Sequence, residues 1–222
     1  VAVENTWFAC GKLLVQNEPT VIDGTFDAVS RGGTAWRCGN GRADGPIWNE
    51  RRPIQFIPLT AALIRRRLFD EVGLLDETFE SYLEDVDFSI RCAASRRAGI
   101  YVPDAVGTHQ GSATLGAWHK ATVRRISRNQ ILLIRKHFRG SPVWPILVAH
   151  VLWGLTALRH GAVWAWVAGK LEGFKRKLPR TGSNWAAVRD AVAESEADIR
   201  RLQGESGFDR YWKAYFFLTG KS

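Results

Sequence analysis

A stretch of 19 residues without a formally charged side chain, residues 140–158, restricts the possible folds more than any other part of the sequence. A second uncharged stretch covers residues 160–169. The first stretch is long enough for one membrane-spanning helix, but it contains Pro142 and Pro145, and two spans would need roughly 40 apolar residues. The sequence therefore predicts helices that lie in the membrane interface, or a shallow re-entrant pair. The alternative is a buried helical hairpin of a soluble domain.

The positive charge of the chain is concentrated around these two stretches. The net charge is +9, yet residues 1–109 hold 12 Lys or Arg against 15 Asp or Glu, whereas residues 110–182 hold 13 against one. Basic side chains lie on both sides of the uncharged stretches: Arg124, Arg125, Arg128, Arg135, Lys136 and Arg139 before them, and Lys170, Lys175, Arg176, Lys177 and Arg180 after them. Under the positive-inside rule, both flanks belong on the cytoplasmic side of a membrane.

Five tryptophans are interleaved with these basic residues, namely Trp118, Trp144, Trp153, Trp164 and Trp166. Basic side chains with tryptophan suit either nucleic acid or the anionic surface of a membrane, where indole rings lie among the headgroups. A nucleic-acid groove does not need a long uncharged stretch. The sequence therefore favours a membrane surface as partner and argues against nucleic acid.

The remaining composition is that of an ordinary globular protein. The 222 residues are 45% hydrophobic and 24% charged, which excludes wholesale disorder and fits one domain, or one domain with an appendage. Three scattered cysteines argue against a disulfide scaffold and a cysteine-ligated zinc site, and they suit a reducing cytoplasm. The chain lacks Met, begins with Val1 and shows no signal-peptide pattern, so we expect a piece of a longer polypeptide or a processed product.

Strand and helix patterns alternate in the first 110 residues, which indicates α/β layering. The expected elements are, in order, a strand at 7–15, a long loop with short extended pieces at 23–50, a strand at 54–64 leading into a helix at 65–72, a helix at 84–98, two short strands separated by a Pro-Asp turn at 100–109, a helix with a basic outer face at 117–138, and a helix at 185–203 capped by Ser183 or Asn184.

The most distinctive local pattern is an acidic run, GLLDETFESYLEDVD, at residues 73–87. Asp85 and Asp87 are two positions apart and cannot share one face of a helix, so one can face a cleft while the other caps or pairs. From the residues alone, a helix N-terminus that is merely rich in acids is the alternative. An EF-hand calcium loop fits poorly, because its ligand spacing and central glycine are absent.

Together with the residues that follow it, this run resembles the second half of family 2 glycosyltransferases of the rhamnosyltransferase-like kind, which have the GT-A fold. The resemblance covers roughly residues 7–139. The matching positions are Asp76-Glu77, Phe79, Tyr82, Glu84-Asp85, Asp87, Tyr101-Val102-Pro103-Asp104, His109 and Arg128-Asn129, with further similarity at 11–14 and 31–45. It implies an α/β fold in which 1–139 is a partial GT-A, Rossmann-like domain. We expect a basic, Trp-rich membrane-interface segment at 140–182 and a helical tail at 183–222.

The resemblance also implies an inverting transfer of a sugar from a nucleotide-sugar donor to a hydroxyl of a glycan acceptor. The residues at the family's functional positions are Asp85 as catalytic base, Glu84, Asp87 and Tyr82 at the acceptor site, Arg128 and Asn129 at the donor diphosphate, and His109 as a ligand of Mg²⁺ or Mn²⁺. Judged by residue type alone, three alternatives stay open. They are a bond from His109 to a backbone carbonyl, a place for Tyr82 in the core, and a solvated Arg128 at the surface.

The chain departs from the family pattern in two ways. Leu75 and Glu80 stand where the family has aromatic residues, and no Asp-x-Asp motif precedes position 85, since the half that carries it is missing. Enzymes that resemble this chain build surface polysaccharides on lipid-linked acceptors. We therefore expect a nucleotide sugar, a glycan or lipid-linked glycan and a membrane surface as partners, and a peripheral location on the cytoplasmic face of the cell membrane. The alternative is a non-catalytic protein that binds membrane surfaces.

Overall fold

The structure, a computed structural model, describes residues 6–110, 118–178 and 182–220 and is mixed α/β. The strands are β1 (Phe8–Val15), β2 (Glu18–Gly24), β3 (Asp27–Val29), β4 (Ala35–Arg37), β5 (Arg52–Ile54), β6 (Ala62–Ile64) and β7 (Gly99–His109). The helices are α1 (Arg66–Val72), α2 (Glu84–Ala94), α3 (Lys120–His137), α4 (Val143–Arg159), α5 (Val163–Lys175), α6 (Trp185–Ser206) and α7 (Arg210–Thr219). Arg180 of the predicted basic flank lies outside the described residues, as does position 117 of the helix predicted at 117–138.

The main sheet is curled and has the order β2-β1-β7-β5, with β6 as a fifth strand that also pairs with β1. β7 runs parallel to β1, whereas β2 and β6 are antiparallel to it. β2 and β6 use opposite ends of β1: β6 pairs with Phe8 to Cys10, and β2 pairs with Leu13 to Val15. β3 and β4 form a separate antiparallel pair. This arrangement is mixed α/β, and the Rossmann-like architecture stays a prediction.

The strand β7 is continuous, so the predicted break into two strands at a Pro-Asp turn is wrong. Its pairing with β1 jumps from Cys10–Tyr101 to Lys12–Val106, which leaves residues 102–105 in a bulge. Pro103 has no N–H to donate, and the bulge places it where no ladder hydrogen bond is required.

Two other predicted boundaries differ from the structure. The single strand predicted at 54–64 is two short strands, β5 and β6, and Pro58, which cannot donate to a ladder, lies between them. The helix predicted at 84–98 ends at Ala94, because Arg96 adopts a left-handed conformation with φ of 55°. Strand β1, helix α1 and the cap of α6 by Asn184, which accepts from Ala187 N, are confirmed.

The hydrophobic core joins all three predicted segments of the chain. One buried cluster contains Phe8 of β1, Ala149 of α4, Ile199 of α6 and Tyr215 of α7. Helix α6 is also bonded to the loop after β3, since its Glu196 accepts from the backbone and side chain of Arg31. The division into segments at 139 and 182 stays a prediction.

Helices α4 and α5 form a hairpin, and α5 packs closely on α3. A Cβ added to Gly169 would lie 2.2 Å from Arg124 O, and one added to Gly173 would lie 2.7 Å from Arg128 O, so glycine permits this approach. The predicted basic outer face of α3 is wrong in part, because Arg128 and Lys136 are buried. Among the described residues, every helix is too short or too polar to cross a membrane.

Candidate active site

A cleft of about 570 Å³ opens where the start of α2 meets the end of β7 and the β2–β4 region. Four of the predicted site residues line it, namely Tyr82, Glu84, Asp85 and His109. Three further charged side chains, which the sequence analysis did not select, line it as well: Asp23, Asp27 and Arg37. The cleft thus brings together groups that are far apart in the chain.

Asp85 lies in the first turn of α2, where backbone N–H groups lack helical partners. Its Oδ1 accepts from Val86 N at 2.8 Å, and its Oδ2 lies 3.8 Å from Arg37 Nη2. Burial raises the pKa of Asp85, while Arg37 and the backbone N–H groups oppose that rise. These opposing groups favour the charged form, which a general base requires.

Asp27 shares the Arg37 guanidinium with Asp85. Arg37 Nε lies 3.6 Å from Asp27 Oδ1, and the stem of the arginine crosses Gly24, where a Cβ would be 2.4 Å from Arg37 Cδ. Burial raises the pKa of Asp27, Arg37 lowers it, and the charge of Asp85 raises it further. One guanidinium thus serves two carboxyl groups, that of the buried Asp27 and that of the half-buried Asp85.

Glu84 brings an unsatisfied acceptor to the cleft. Its Oε2 is buried and has no hydrogen-bond partner among the described residues. Burial raises the pKa of Glu84, and the neighbouring charge of Asp85 adds to that rise. Since buried polar atoms are nearly always paired, this oxygen is a natural contact for a polar ligand in the cleft.

His109 ends β7 and pairs with Asp23 of β2. The distance from His109 Nδ1 to Asp23 Oδ2 is 2.9 Å. Because a carboxylate only accepts hydrogen bonds, Nδ1 carries the proton and Nε2 is left as an acceptor or metal ligand. Within the described ranges, however, no three His, Cys, Asp or Glu side chains are grouped to hold a metal ion. The described chain therefore offers a single well-oriented donor and an incomplete ligand set.

Asp87 lies outside the cleft and is fully buried. It accepts from His137 Nε2 at 2.8 Å and Arg91 Nε at 3.1 Å, and Lys136 Nζ is 2.8 Å from its Oδ1. Burial alone would raise the pKa of Asp87, but the hydrogen bond and charge of His137, together with Lys136, lower it below its usual value. The structure thus places Asp87 in a packed ion network, and its contact with an acceptor stays a prediction.

Arg128 and Asn129 also lie outside the cleft, buried beneath the loop at 79–83. Asn129 Nδ2 donates to the carbonyls of Phe79, Ser81 and Tyr82 at 2.8, 2.9 and 2.6 Å. Arg128 donates to Phe79 O, to the Asn129 side chain and to two glutamates. Diphosphate binding by this pair stays a prediction, and it would require these bonds to be exchanged.

The loop that they support has an unusual backbone. Glu80, Tyr82 and Leu83 have φ of 60°, 72° and 66°, in the left-handed region that side chains with a Cβ rarely adopt. Leu83 is the N-cap residue of α2, so this conformation sets the direction in which Glu84 and Asp85 enter the helix. Strain of this kind persists only where surrounding contacts hold it, and it is common at functional sites.

The residues missed from the sequence belong to the segment predicted as a loop. Asp23, Asp27 and Arg37 lie on the short strands β2, β3 and β4. A charged side chain within a glycine-rich segment was the available signal, but surface exposure explains such residues equally well. Their common position depends on how these strands fold over β1.

Comparison with known proteins gives a limited match. The chain is 33% identical over 79 residues to an N-acetylglucosaminyl-diphospho-decaprenol L-rhamnosyltransferase of Mycobacterium tuberculosis, in strain CDC 1551 / Oshkosh and in strain ATCC 25618 / H37Rv. The match covers 32% of this chain, and the chain spans about a quarter (26%) of the length of these relatives. No protein-family profile and no solved structure matches. The similarity supports a glycosyltransferase-like relationship.

Proposed function

We propose that this chain carries the acceptor side of an inverting, family 2-type glycosyltransferase. The observation that carries the proposal is the cleft shared by Asp85, Glu84 and His109, which the chain brings together from α2 and β7. The relative of known activity supports the reaction class, since its name is that of a rhamnosyltransferase.

In the proposed reaction, an acceptor hydroxyl enters the cleft beside Asp85. Its oxygen forms a bond to the anomeric carbon of the donor sugar as its proton passes to the Asp85 carboxylate. The bond from that carbon to the nucleoside diphosphate breaks on the opposite side, so the configuration inverts. Arg37 favours the charged form of Asp85 before the transfer, and Glu84 Oε2, which lacks a partner among the described residues, accepts from a second acceptor hydroxyl.

A divalent ion, Mg²⁺ or Mn²⁺, belongs to the proposal as the group that neutralises the leaving diphosphate when it is bound. The Asp23–His109 pair fits one coordination position, because Asp23 fixes the ring and Nε2 has no hydrogen-bond partner among the described residues. The described residues do not complete a ligand set, so the roles assigned to Asp85, Glu84 and Arg37 do not depend on the ion.

The proposed acceptor is a lipid-linked glycan used in cell-surface polysaccharide synthesis at the cytoplasmic face of the membrane. The name of the mycobacterial relative specifies an acceptor joined to decaprenol through a diphosphate. The segment at 140–182 contains the two uncharged stretches and is basic overall, and this composition suits an enzyme that works at an anionic membrane surface.

The test is sugar transfer by the longest native polypeptide that contains this chain, with Asp85→Asn as the variant. We expect the transfer rate to fall by about 10²- to 10⁴-fold, the usual worth of a general base. Asp70→Asn, the same chemical change at an exposed position of α1, is the matched control and should leave the rate unchanged. Equal rates for Asp85→Asn and Asp70→Asn would exclude Asp85 as the base.

A non-catalytic membrane-binding protein is the second candidate function, and the exposed apolar side chains of α4 favour it. The two candidates differ in one outcome. The second predicts vesicle binding without any transfer that depends on Asp85.

A further inference from the structure

Helix α4 exposes a continuous apolar stripe to solvent. From Trp144 onward its members recur every three or four residues and therefore share one face of the helix, and Val143 precedes them in the first turn. Each is more than half exposed: Val143, Trp144, Leu147, Val151, Leu155 and Leu158. The stripe runs the length of the helix, about 25 Å for 17 residues. An exposed apolar surface of this size is unusual for a face in contact with water alone.

Neighbouring residues extend this α4 stripe. Trp164, just after the turn that joins α4 to α5, is 81% exposed. At the other end, Trp144 Nε1 donates to Leu218 O at 2.9 Å, which joins the exposed end of α7 to the first turn of α4. Two exposed tryptophans therefore lie near opposite ends of the stripe, and tryptophan is the side chain most characteristic of a membrane interface.

On α4, α5 and α7, the charges without an ion-pair partner among the described residues have one sign. Helix α4 contains no acidic residue, and Glu172, the one acid in 140–182, is paired with Arg124 and Arg128. Exposed cations lie at the end of α4 (Arg159), at the end of α5 (Lys175) and on α7 (Lys213), and none of them makes an ion pair with a described residue. An apolar stripe with unpaired cations beside it is complementary to anionic lipid headgroups over an acyl layer.

We infer that the α4 stripe, with Trp164 and Leu218, docks on the surface of an anionic phospholipid bilayer, with α4 lying in the plane of the interface. A second copy of this chain is a poorer occupant. A two-fold interface places the same patch on both copies, so the unpaired cations of one would face those of the other. A lipid surface gains from these charges.

The docking helices are rigidly tied to the candidate active site. Helix α5 packs on α3 through Gly169 and Gly173, and Arg176, which follows α5, donates to Glu80 Oε1 at 2.8 Å. Glu80 lies in the strained loop before Asp85. The membrane face and the cleft are thus parts of one packed unit. The inference itself does not rest on glycosyl transfer.

The experiment measures sedimentation of the full chain with phosphatidylcholine vesicles that contain phosphatidylglycerol, and with phosphatidylcholine vesicles alone. We expect the wild-type protein to bind the anionic vesicles and Leu147→Glu/Leu155→Glu to bind them more weakly by on the order of tenfold or more, because two apolar anchors are lost. The matched control, Leu63→Glu/Leu74→Glu, makes the same change at two leucines exposed elsewhere and should bind like wild type. Circular dichroism and urea midpoints verify that both variants fold.

A second set of variants tests the charges. Removing one cation, as in Lys175→Gln, should weaken binding to anionic vesicles roughly fivefold and leave binding to neutral vesicles unchanged. The inference would be overturned if Leu147→Glu/Leu155→Glu bound anionic vesicles as strongly as the wild type, or if the wild type bound no vesicles. So would a wild-type dimer in sedimentation velocity that this double variant makes monomeric, since the stripe would then bind a second copy. Vesicle binding without activity, or activity without vesicle binding, separates this inference from the proposed function.

Discussion

Asn129→Ala tests whether the left-handed loop before α2 is held by a single buried amide. In the structure, Asn129 is fully buried on α3, and its side chain bonds to three carbonyls of the loop at 79–82. Its Oδ1 also accepts from Arg128 Nε at 2.9 Å. Alanine removes the Asn129 bonds to Ser81 O and Tyr82 O and the acceptor of Arg128 Nε, while Phe79 O keeps its bond from Arg128 Nη2. The loop that holds Tyr82 in the left-handed region thus loses part of its support.

The magnitude follows from counting the hydrogen bonds that are lost. An amide supplies two N–H donors, which are shared among the three carbonyls, and one acceptor for Arg128. At about 1 kcal/mol for each of three hydrogen bonds, we expect the free energy of unfolding to fall by about 3 kcal/mol. Relaxation of the loop would then move Asp85, so transfer activity should fall as well.

Urea unfolding monitored by circular dichroism measures this change. Asn184→Ala is the matched control, because the Asn184 side chain makes one hydrogen bond with a described residue, to Ala187 N at the start of α6, and such a cap is worth about 1 kcal/mol. If both variants lose the same small amount of stability, the amide does not hold the loop. If Asn129→Ala instead keeps its stability and only raises the KM for the donor, the residue acts at the diphosphate, as the sequence resemblance implies.

Two further predictions concern the helical hairpin. Gly169→Ala should lower the free energy of unfolding by about 1–3 kcal/mol, because the new Cβ meets the backbone of α3. Gly45→Ala is the control and should change it little, because the space around Gly45 is open. Equal effects of the two substitutions would contradict the close packing of α5 on α3. Lys170→Met should stabilise the protein more at pH 7 than at pH 9.5. Burial lowers the pKa of Lys170 from its usual 10.5 to about 7. Between these two pH values the lysine is protonated in the unfolded state but largely neutral in the folded state. It therefore lowers the free energy of unfolding by an amount that is near zero above pH 10.5 and grows as the pH falls to about 7. The difference between the effects at pH 7 and pH 9.5, on the order of 3 kcal/mol, is measured by urea midpoints at both pH values, and an effect independent of pH would refute the assignment.

Local patterns in the sequence predicted the elements that local physics determines. Strand β1 follows from its apolar run, and α2 follows from acids in its first turn with Val86, Ile90 and Ala93 on one face, all of which are buried. The two-residue offset of Asp85 and Asp87 indicated different surroundings, and the structure places the first in the cleft and the second in the core. These features depend only on neighbours within a few positions of the chain.

The parts that could not be predicted depend on contacts between distant residues. Nothing local distinguishes Arg37, which lies between two carboxyl groups, from an exposed arginine on an edge strand. Likewise, the bulge that accommodates Pro103 in β7 depends on its pairing with β1, in which Tyr101 lies opposite Cys10, far earlier in the chain. Buried ion pairs are specified by tertiary position, so charge patterning alone does not reveal them.

The segregation of charge along the sequence has an internal cause that the structure makes visible. Acids of the run at 73–87 pair with bases of the segment at 110–182. Glu80 accepts from Arg128 and Arg176, at 3.0 and 2.8 Å, and Asp76 accepts from Lys136 at 2.6 Å. Part of the basic excess therefore neutralises the acidic run within the fold.

The charges that these pairings leave over are the informative ones. Within the run, Glu84 has a buried oxygen without a partner in the described chain, and Asp85 has a distant arginine at 3.8 Å, and both line the cleft. Within the basic segment, Arg159 and Lys175 pair with no described acid and lie beside the exposed apolar stripe of α4. Because a paired charge is already satisfied by the fold, the unpartnered oxygen of Glu84 points to a ligand in the cleft and the unpaired bases point to an anionic surface outside it.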